Sequence, residues 1–465
     1  VSAPVIISLV TLMVFGLGIV LRHRPLASSV VTASGAMALA LFALRAPIDQ
    51  PTEIFGIAVK IGDSFQVLGR SLTLSAGNRA VVGFLFVVAG FVFGAGWAAR
   101  PGAYFFPAGM VVVGAVVAAL MISPFLYAAA FLEIAALAGV LLIAPPGRAS
   151  IRGSERLLLF YTLAMLAILV TGWMLPSVGV TRATPELAAR AIRLLALGFA
   201  VLILVPPFHI WLLDAIEESS PYAVVLLVGV LQSAGLFFML RFLDNYEWLR
   251  TDLGLMADIR LVGAALIVIG GLFALAERSM ARSVVYVLMG DLGVTLLAVS
   301  INTPVGYQLA LGLSAVRVIG LAVWGLGISV LQREQSDRKT AALEGRGLDT
   351  PIASAAALVG LASLSGLPMT AGFPARWGLM AALAGQAPGV ALLVIASVMA
   401  EGLACVKWLR VLLSPAGPRP TRGHSRAEYA FLGLGISLVL SLGLFPQLVF
   451  PWVVQALSGL KNLLL

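Results

Sequence analysis

The stretch Pro206-Pro207-Phe208-His209-Ile210-Trp211-Leu212-Leu213-Asp214 interrupts a long apolar run. Val201 to Val205 read as helix interior. Two consecutive prolines then remove two backbone donors and force a break. Asp214, Glu217 and Glu218 follow at once. In a soluble protein this would be an ordinary helix end. Here it lies among hydrophobic segments of membrane grade, where a broken helix is tolerated only if it is buried in protein or lines a wet cavity.

A second interruption lies about 160 residues further on, at Leu364-Ser365-Gly366-Leu367-Pro368-Met369-Thr370-Ala371-Gly372-Phe373-Pro374. Two Gly/Pro-broken apolar segments in matching places of two halves mark a repeat-built transporter. The fold expected is an all-α polytopic membrane protein of about fourteen transmembrane helices. It contains two inverted repeats of about five helices each, and each repeat has one discontinuous helix. The divisions read from the sequence are roughly 1–104 (three spans and an amphipathic loop), 105–243 (first repeat), 244–413 (second repeat) and 414–465 (last span and tail). The broken spans fall at roughly 190–213 and 351–384, and the loop at roughly 46–78 reads as a surface hairpin with strands at 56–60 and 71–74.

Composition excludes most other classes. Of the 465 residues 60% are hydrophobic and 11% charged, and the mean hydropathy is +1.04. The formal charge of +9 comes from basic residues in short loops between apolar runs, which is no nucleic-acid surface. One cysteine, Cys405, excludes a disulfide framework, and His23, His209 and His424 lie too far apart for a metal-ligand spacing. No metal, no cofactor and no catalytic residue is expected. The run Pro4 to Leu21 lacks a basic leader and reads as the first span.

Loop cations set the orientation. Arg22, Arg24, Arg100, Arg148, Arg152, Arg278, Arg282, Arg338, Lys339, Arg419 and Arg422 follow odd-numbered spans, and fewer, such as Arg182, Arg190 and Arg250, lie on the other side. Positive loops stay cytoplasmic, so both termini are expected on the non-cytoplasmic face.

Ionisable residues within the spans are the candidate ion path. A charge at mid-bilayer costs on the order of 2.5–3.5 kcal/mol, so few persist without a partner or a role. Glu133, Asp291, Arg317 and Glu401 lie well inside apolar runs, and Arg376 follows the second break, either as a channel charge or as the end of a half-helix reaching to the surface. An Asp291–Arg317 ion pair would offset much of both burial costs. Lys407, with Arg410, reads either as path or as a side chain snorkelling to the surface. His209, at the first break, reads as a hinge that hydrogen-bonds freed carbonyls or as a proton carrier.

These residues resemble a known family. Pro207-Phe208-His209-Ile210-Trp211 with Asp214-Ala215 is similar to the proline–histidine–tryptophan signature of the antiporter-like subunits of respiratory complex I and of Mrp-type cation/proton antiporters. Gly366 through Phe373 is similar to that family's second broken helix, and Arg282 with Tyr286 through Gly293 to its basic–tyrosine–glycine element. The resemblance implies a line of buried charges that carries protons. It places Glu133 at the family's glutamate in the fifth span, Arg317 at a lysine in the eleventh and Arg376 at the charge in the twelfth. It also implies departures: Leu202, Gln232 or Ser233, and Ala281 stand where the family has lysines. A leucine cannot titrate, so the first-half channel is expected to be impaired.

The function implied is a membrane-arm, antiporter-like subunit of a complex I-like assembly, in a bacterial inner membrane, surrounded by lipid and other membrane-arm subunits. Redox chemistry would lie in those partners. A self-standing cation/proton antiporter, or a scaffold that no longer transports, is the alternative.

Overall fold

Every helix end inside a membrane leaves carbonyls that lipid cannot satisfy, and the chain meets this demand with capping residues and with cations from neighbouring helices. The computed structural model describes residues 2–48, 51–54, 57–67, 69–144, 151–180, 185–333, 343–415 and 425–464. The first helices are α1 (Ala3–Val20), α2 (Pro25–Arg45) and α3 (Ala76–Ala99). Between α2 and α3 lie two antiparallel hairpins, β1 (Pro51–Ile54) with β2 (Ile57–Lys60) and β3 (Ser64–Val67) with β4 (Arg70–Thr73). The loop expected to fold as one hairpin therefore forms two, and β5 (Ile122–Ser123) joins β4 as a third strand. Gly56, at the start of an expected strand, lies outside the described residues.

The chain continues through α4 (Phe105–Met121), α5 (Ala128–Ile143), α6 (Arg152–Val180), α7 (Pro185–Leu202), α8 (Ile210–Glu218), α9 (Pro221–Asn245) and α10 (Glu247–Thr251). It then forms α11 (Leu253–Ala276), α12 (Met280–Ser300), α13 (Pro304–Gln332), α14 (Arg346–Asp349), α15 (Pro351–Ser365) and α16 (Phe373–Ala384). The last elements are α17 (Pro388–Leu413), α18 (Arg426–Leu444) and α19 (Phe450–Leu457). Among the described residues, 11 helices are long and apolar enough to cross a membrane, and Phe105–Met121 and Pro351–Ser365 are shorter apolar helices.

Starts are set by hydroxyl and carboxylate caps. Ser75, Asp252, Ser279 and Thr303 accept from backbone amides at the starts of α3, α11, α12 and α13. Ser425 and Glu428 form a reciprocal capping box on α18. Ends are set by cations. Arg79 donates to the carbonyls of Ala43 (2.8 Å) and Ala46 (2.7 Å) where α2 stops. Arg241 donates to Leu120 O at the end of α4 (3.1 Å), and Arg333 to Ala98 O at the end of α3 (3.2 Å). A positive charge there also meets the negative end of the helix dipole.

The helices α4 to α8 pack among themselves, as do α11, α12, α15 and α17. The seam between these groups is α9 against α13, with α8 touching α12. Helix α12 is buried along its whole length. Any polar group it carries must therefore find its partners inside the protein.

Arg333 also pairs with Glu428 of α18 at 2.6 Å, so one side chain ties α13, α3 and α18 together. Arg333→Ala is expected to cost about 1–3 kcal/mol, read as a lower melting temperature in detergent. Arg193→Ala, at an exposed residue bonded among the described residues only within its own helix, is expected to leave that temperature unchanged.

Candidate functional site

Both expected breaks are present, and both begin with the same backbone ending. In α7 the amide of Val205 donates to Ala200 O (2.8 Å) and that of Leu204 to Val201 O (3.2 Å). In α15 the amide of Leu367 donates to Ala362 O (3.0 Å) and that of Gly366 to Ser363 O (3.1 Å). This paired pattern requires a left-handed residue just past the helix. Gly366 fills that place at φ 69° without cost, whereas Leu204 fills it at φ 63°, where a side chain costs roughly 1–2 kcal/mol. Each helix resumes several residues later, as α8 and as α16.

What surrounds the two breaks differs. At the second, Arg376 on α16 turns back and donates to the carbonyls of Leu364 and Ser365, the last residues of α15. Its Nη2 also lies 2.9 Å from Asp291 Oδ1 on α12, and its Nη1 lies 3.4 Å from Glu401 Oε2 on α17. Asp291 in turn accepts from Nε of Arg317 on α13, and Arg317 Nη2 donates to the Thr295 hydroxyl. Ser397 donates to Glu401 Oε1 at 3.0 Å. The relative exposures of Asp291, Arg317, Arg376 and Glu401 are 3%, 2%, 1% and 0%. With both carboxylates ionised the two guanidiniums are balanced in charge.

The local sequence makes room for this cluster. A Cβ at Gly366 would sit 2.2 Å from Arg376 Cδ, so a larger residue would displace the arginine as well as strain the turn. A Cβ at Gly290 would sit 2.2 Å from Glu401 Oε1, so glycine lets the carboxylate of α17 lie against the backbone of α12. Thr295 follows Asp291, and Ser397 precedes Glu401, by one helical turn. The i, i+4 spacing of a hydroxyl to each acid was the sequence signal that could have identified both.

The expected pair Asp291–Arg317 is thus present, joined by Arg376 and Glu401. Three other candidates stand apart from the cluster. Glu133 on α5 accepts from the Thr162 hydroxyl at 2.6 Å, its Oε2 is buried without a hydrogen-bond partner, and no cation pairs with it among the described residues. Among the described residues His209 caps no freed carbonyl: its Nδ1 is buried without a partner, and its ring lies 6.2 Å from that of Tyr286 on α12. Lys407 donates to the carbonyls of Leu275 (2.8 Å) and Glu277 (2.5 Å). Its place is the end of α11, because α17 runs beside that helix and the lysine reaches the nearest orphan carbonyls.

The four positions Leu202, Gln232, Ser233 and Ala281 carry no charge. Leu202 ends α7 fully buried against Gly235 of α9, and Ala281 is buried in the first turn of α12. Gln232 on α9 is 1% exposed, and among the described residues neither polar atom of its amide has a partner. Ser233 bonds Gly229 O (2.8 Å) and lies 3.4 Å from the Ser314 hydroxyl across the α9–α13 seam.

A belt of ion pairs that the sequence reading did not identify fastens α8. Arg156 of α6 pairs with Asp214 at 2.5 Å, and Glu218 accepts from the Gly153 amide at 3.0 Å. Arg282 of α12 reaches Glu217 of α8 (3.5 Å) and Glu277 (3.4 Å). The short helix is thereby held to α6 on one side and to α12 on the other.

Residues 131–403, from just before Glu133 to just past Glu401, match the family model described as NADH:quinone oxidoreductase/Mrp antiporter, TM. The chain belongs to that family. Among curated relatives of this antiporter-type family, it is 31% identical over 289 residues to NADH-quinone oxidoreductase subunit N 2 of Acidobacterium capsulatum, covering 57% of this chain and 56% of that one. It is 33% identical over 275 residues to NADH-quinone oxidoreductase subunit 14 of Thermus thermophilus, covering 57% and 59%. The matched region is thus less than two thirds of either relative's length. Among solved structures, a chain of the Mrp complex from Dietzia sp. DQ12-45-1b aligns over 100% of both chains with a TM-score of 0.79 at 18% identity, a likeness of fold. The chain is an antiporter-like integral membrane protein, as the broken helices implied.

Asp291→Leu strands the buried Arg317 and leaves Arg376 with Glu401 as its one carboxylate. It is expected to cost about 3–5 kcal/mol, read as loss of folded protein in detergent. Adding Arg317→Met is expected to restore part of the loss, since removing both partners of a buried pair is much cheaper than removing one.

Proposed function

We propose that this chain is a membrane-arm, antiporter-like subunit of a complex I-like assembly, an NADH:quinone oxidoreductase or a related complex. It takes part in proton translocation through its second half. The first-half route is impaired, and the redox chemistry belongs to partner subunits. The observation that carries this reading is the contrast between the two breaks. The second is lined by Asp291, Arg317, Arg376 and Glu401 in contact, while Glu133 has only a hydroxyl and the first break has no cation among the described residues. We read Leu202, Gln232 or Ser233, and Ala281 as family lysine positions now held by groups that carry no charge.

The chemistry of the cluster narrows the proton carrier. Arginine stays protonated and can only pair or steer. Asp291 is gripped by two guanidiniums, whereas Glu401 is met by one at 3.4 Å and by the Ser397 hydroxyl. Glu401 is therefore the group that gains and releases the proton. When it is protonated, Arg376 loses one of its two carboxylate partners and rests on Asp291. When it is ionised, Arg376 is shared again.

In this reading α4, the pair α7–α8 and the pair α15–α16 are further crossings, which gives about fourteen in all and two inverted repeats of about five. The assembly sits in a bacterial inner membrane with both termini on the non-cytoplasmic face. Several of the cations behind that orientation, Arg148, Arg182, Arg338, Lys339, Arg419 and Arg422, lie outside the described residues. The scaffold reading draws on the uncharged lysine positions, and the self-standing antiporter on the Mrp likeness.

Glu401→Gln is expected to lower proton pumping by the intact assembly about tenfold or more, with the subunit still incorporated. Glu133→Gln is expected to leave pumping unchanged. The opposite pattern would move the path to the first half, and no effect from either would favour a scaffold. Purification is expected to bring down several membrane and redox subunits. A lone chain that exchanges cations for protons in liposomes would overturn the subunit reading.

A further inference from the structure

An apolar cavity of ≈ 550 Å³ lies between α2, α3, α13, α18 and α19, outside the charged cluster. Met37, Phe84, Ile319, Leu438 and Trp452 are among its walls, and Ser233 and Ser314 supply its hydroxyls where α9 meets α13. Ser314 lies one turn from Arg317 on α13. The cavity opens outward, since Met37, Val87, Leu434, Leu448 and Trp452 line it and are exposed. Three of these, Met37, Val87 and Leu434, lie in the middle of membrane-spanning helices. The opening therefore lies at membrane depth.

An apolar space of this size in contact with lipid loses dispersion energy if it stays empty. Its volume is in the range of small-molecule sites, about 300–1,000 Å³. A transmembrane helix, about 10 Å across and 30 Å long, needs several times more. A single acyl chain fits.

The surroundings suit a phospholipid with an anionic headgroup. Trp452 at the rim is of the residue type that anchors at the headgroup level. Arg45 ends α2, next to Leu44, which packs on Gly83 of α3 beside the cavity wall. Arg45 is exposed and makes no ion pair among the described residues. Lys461, which follows α19, is also exposed. The bonds from the Asn462 and Leu463 amides to Asp244 (2.8 and 3.1 Å) hold the segment after α19 against the end of α9.

We propose that this cavity binds one acyl chain of an anionic phospholipid. The phosphate lies toward Arg45 and Lys461, and the chain end reaches the Ser233–Ser314 contact. The bound chain closes the α9–α13 seam to loose lipid beside the charged cluster.

The test uses the protein as purified in its assembly, exchanged into lipid-free detergent, with retained lipids identified by native mass spectrometry. The wild type is expected to keep a phospholipid, enriched in phosphatidylglycerol or cardiolipin. Ala315→Phe and Ala322→Phe, which fill the cavity from α13, are expected to lose it. Arg45→Gln is expected to keep a phospholipid and lose the anionic preference. A wild type that retains nothing or only an isoprenoid quinone, or filled variants that keep the same phospholipid, would overturn the proposal. Should the filled variants fail to fold, the wild type in vesicles with a photoactivatable acyl-chain phosphatidylglycerol decides. Labelling concentrated on residues 311–322 supports the site, and labelling spread evenly over the exposed faces of α1 and α11 refutes it.

Discussion

The Arg376 guanidinium satisfies backbone and side-chain charge at once. It caps the carbonyls that α15 leaves behind when it breaks, and it bridges the carboxylates of Asp291 and Glu401. In hydrocarbon neither demand can be left to water. Breaking the helix creates the need for a buried cation, and the buried cation makes room for two buried acids. The ionisable cluster and the discontinuity are thus one structural solution.

The same logic recurs across the fold in plainer form. Arg79, Arg241, Arg333 and Lys407 each leave their own helix to meet the terminal carbonyls of a neighbour. These contacts fasten helices to one another at their ends, where apolar packing is least selective. Arg376 differs in adding carboxylates to the carbonyls. The first break has the matching backbone ending, but among the described residues no cation answers it. Leu204 holds the left-handed position there against its own preference.

Much of this could be read from residues alone. The prolines at 206 and 207 and the glycine and prolines between 366 and 374 located both interruptions, because their backbone consequences are local. Asp291, Arg317, Arg376 and Glu401 were recognisable as costly charges in apolar runs. The Asp291–Arg317 pair was anticipated, but not that Arg376 and Glu401 join it, since that depends on how α12, α13, α16 and α17 approach in space. Lys407 shows the limit of that reasoning. From sequence it read either as path or as a side chain snorkelling to the surface, and only packing shows that its partners are the carbonyls that end α11. The Arg282–Glu217 link was invisible for the same reason, as it joins α12 to α8, more than sixty residues apart in sequence.

That link bears on how the halves communicate. Helix α8 is short, flanked by a break on one side and by Ser219 and Pro221 on the other, and gripped by α6 through Arg156 and Gly153 and by α12 through Arg282. A rod clamped at such points passes displacement along instead of absorbing it. Through α8, a push against α6 has a route of ion pairs and backbone contacts to α12, the helix that bears Asp291.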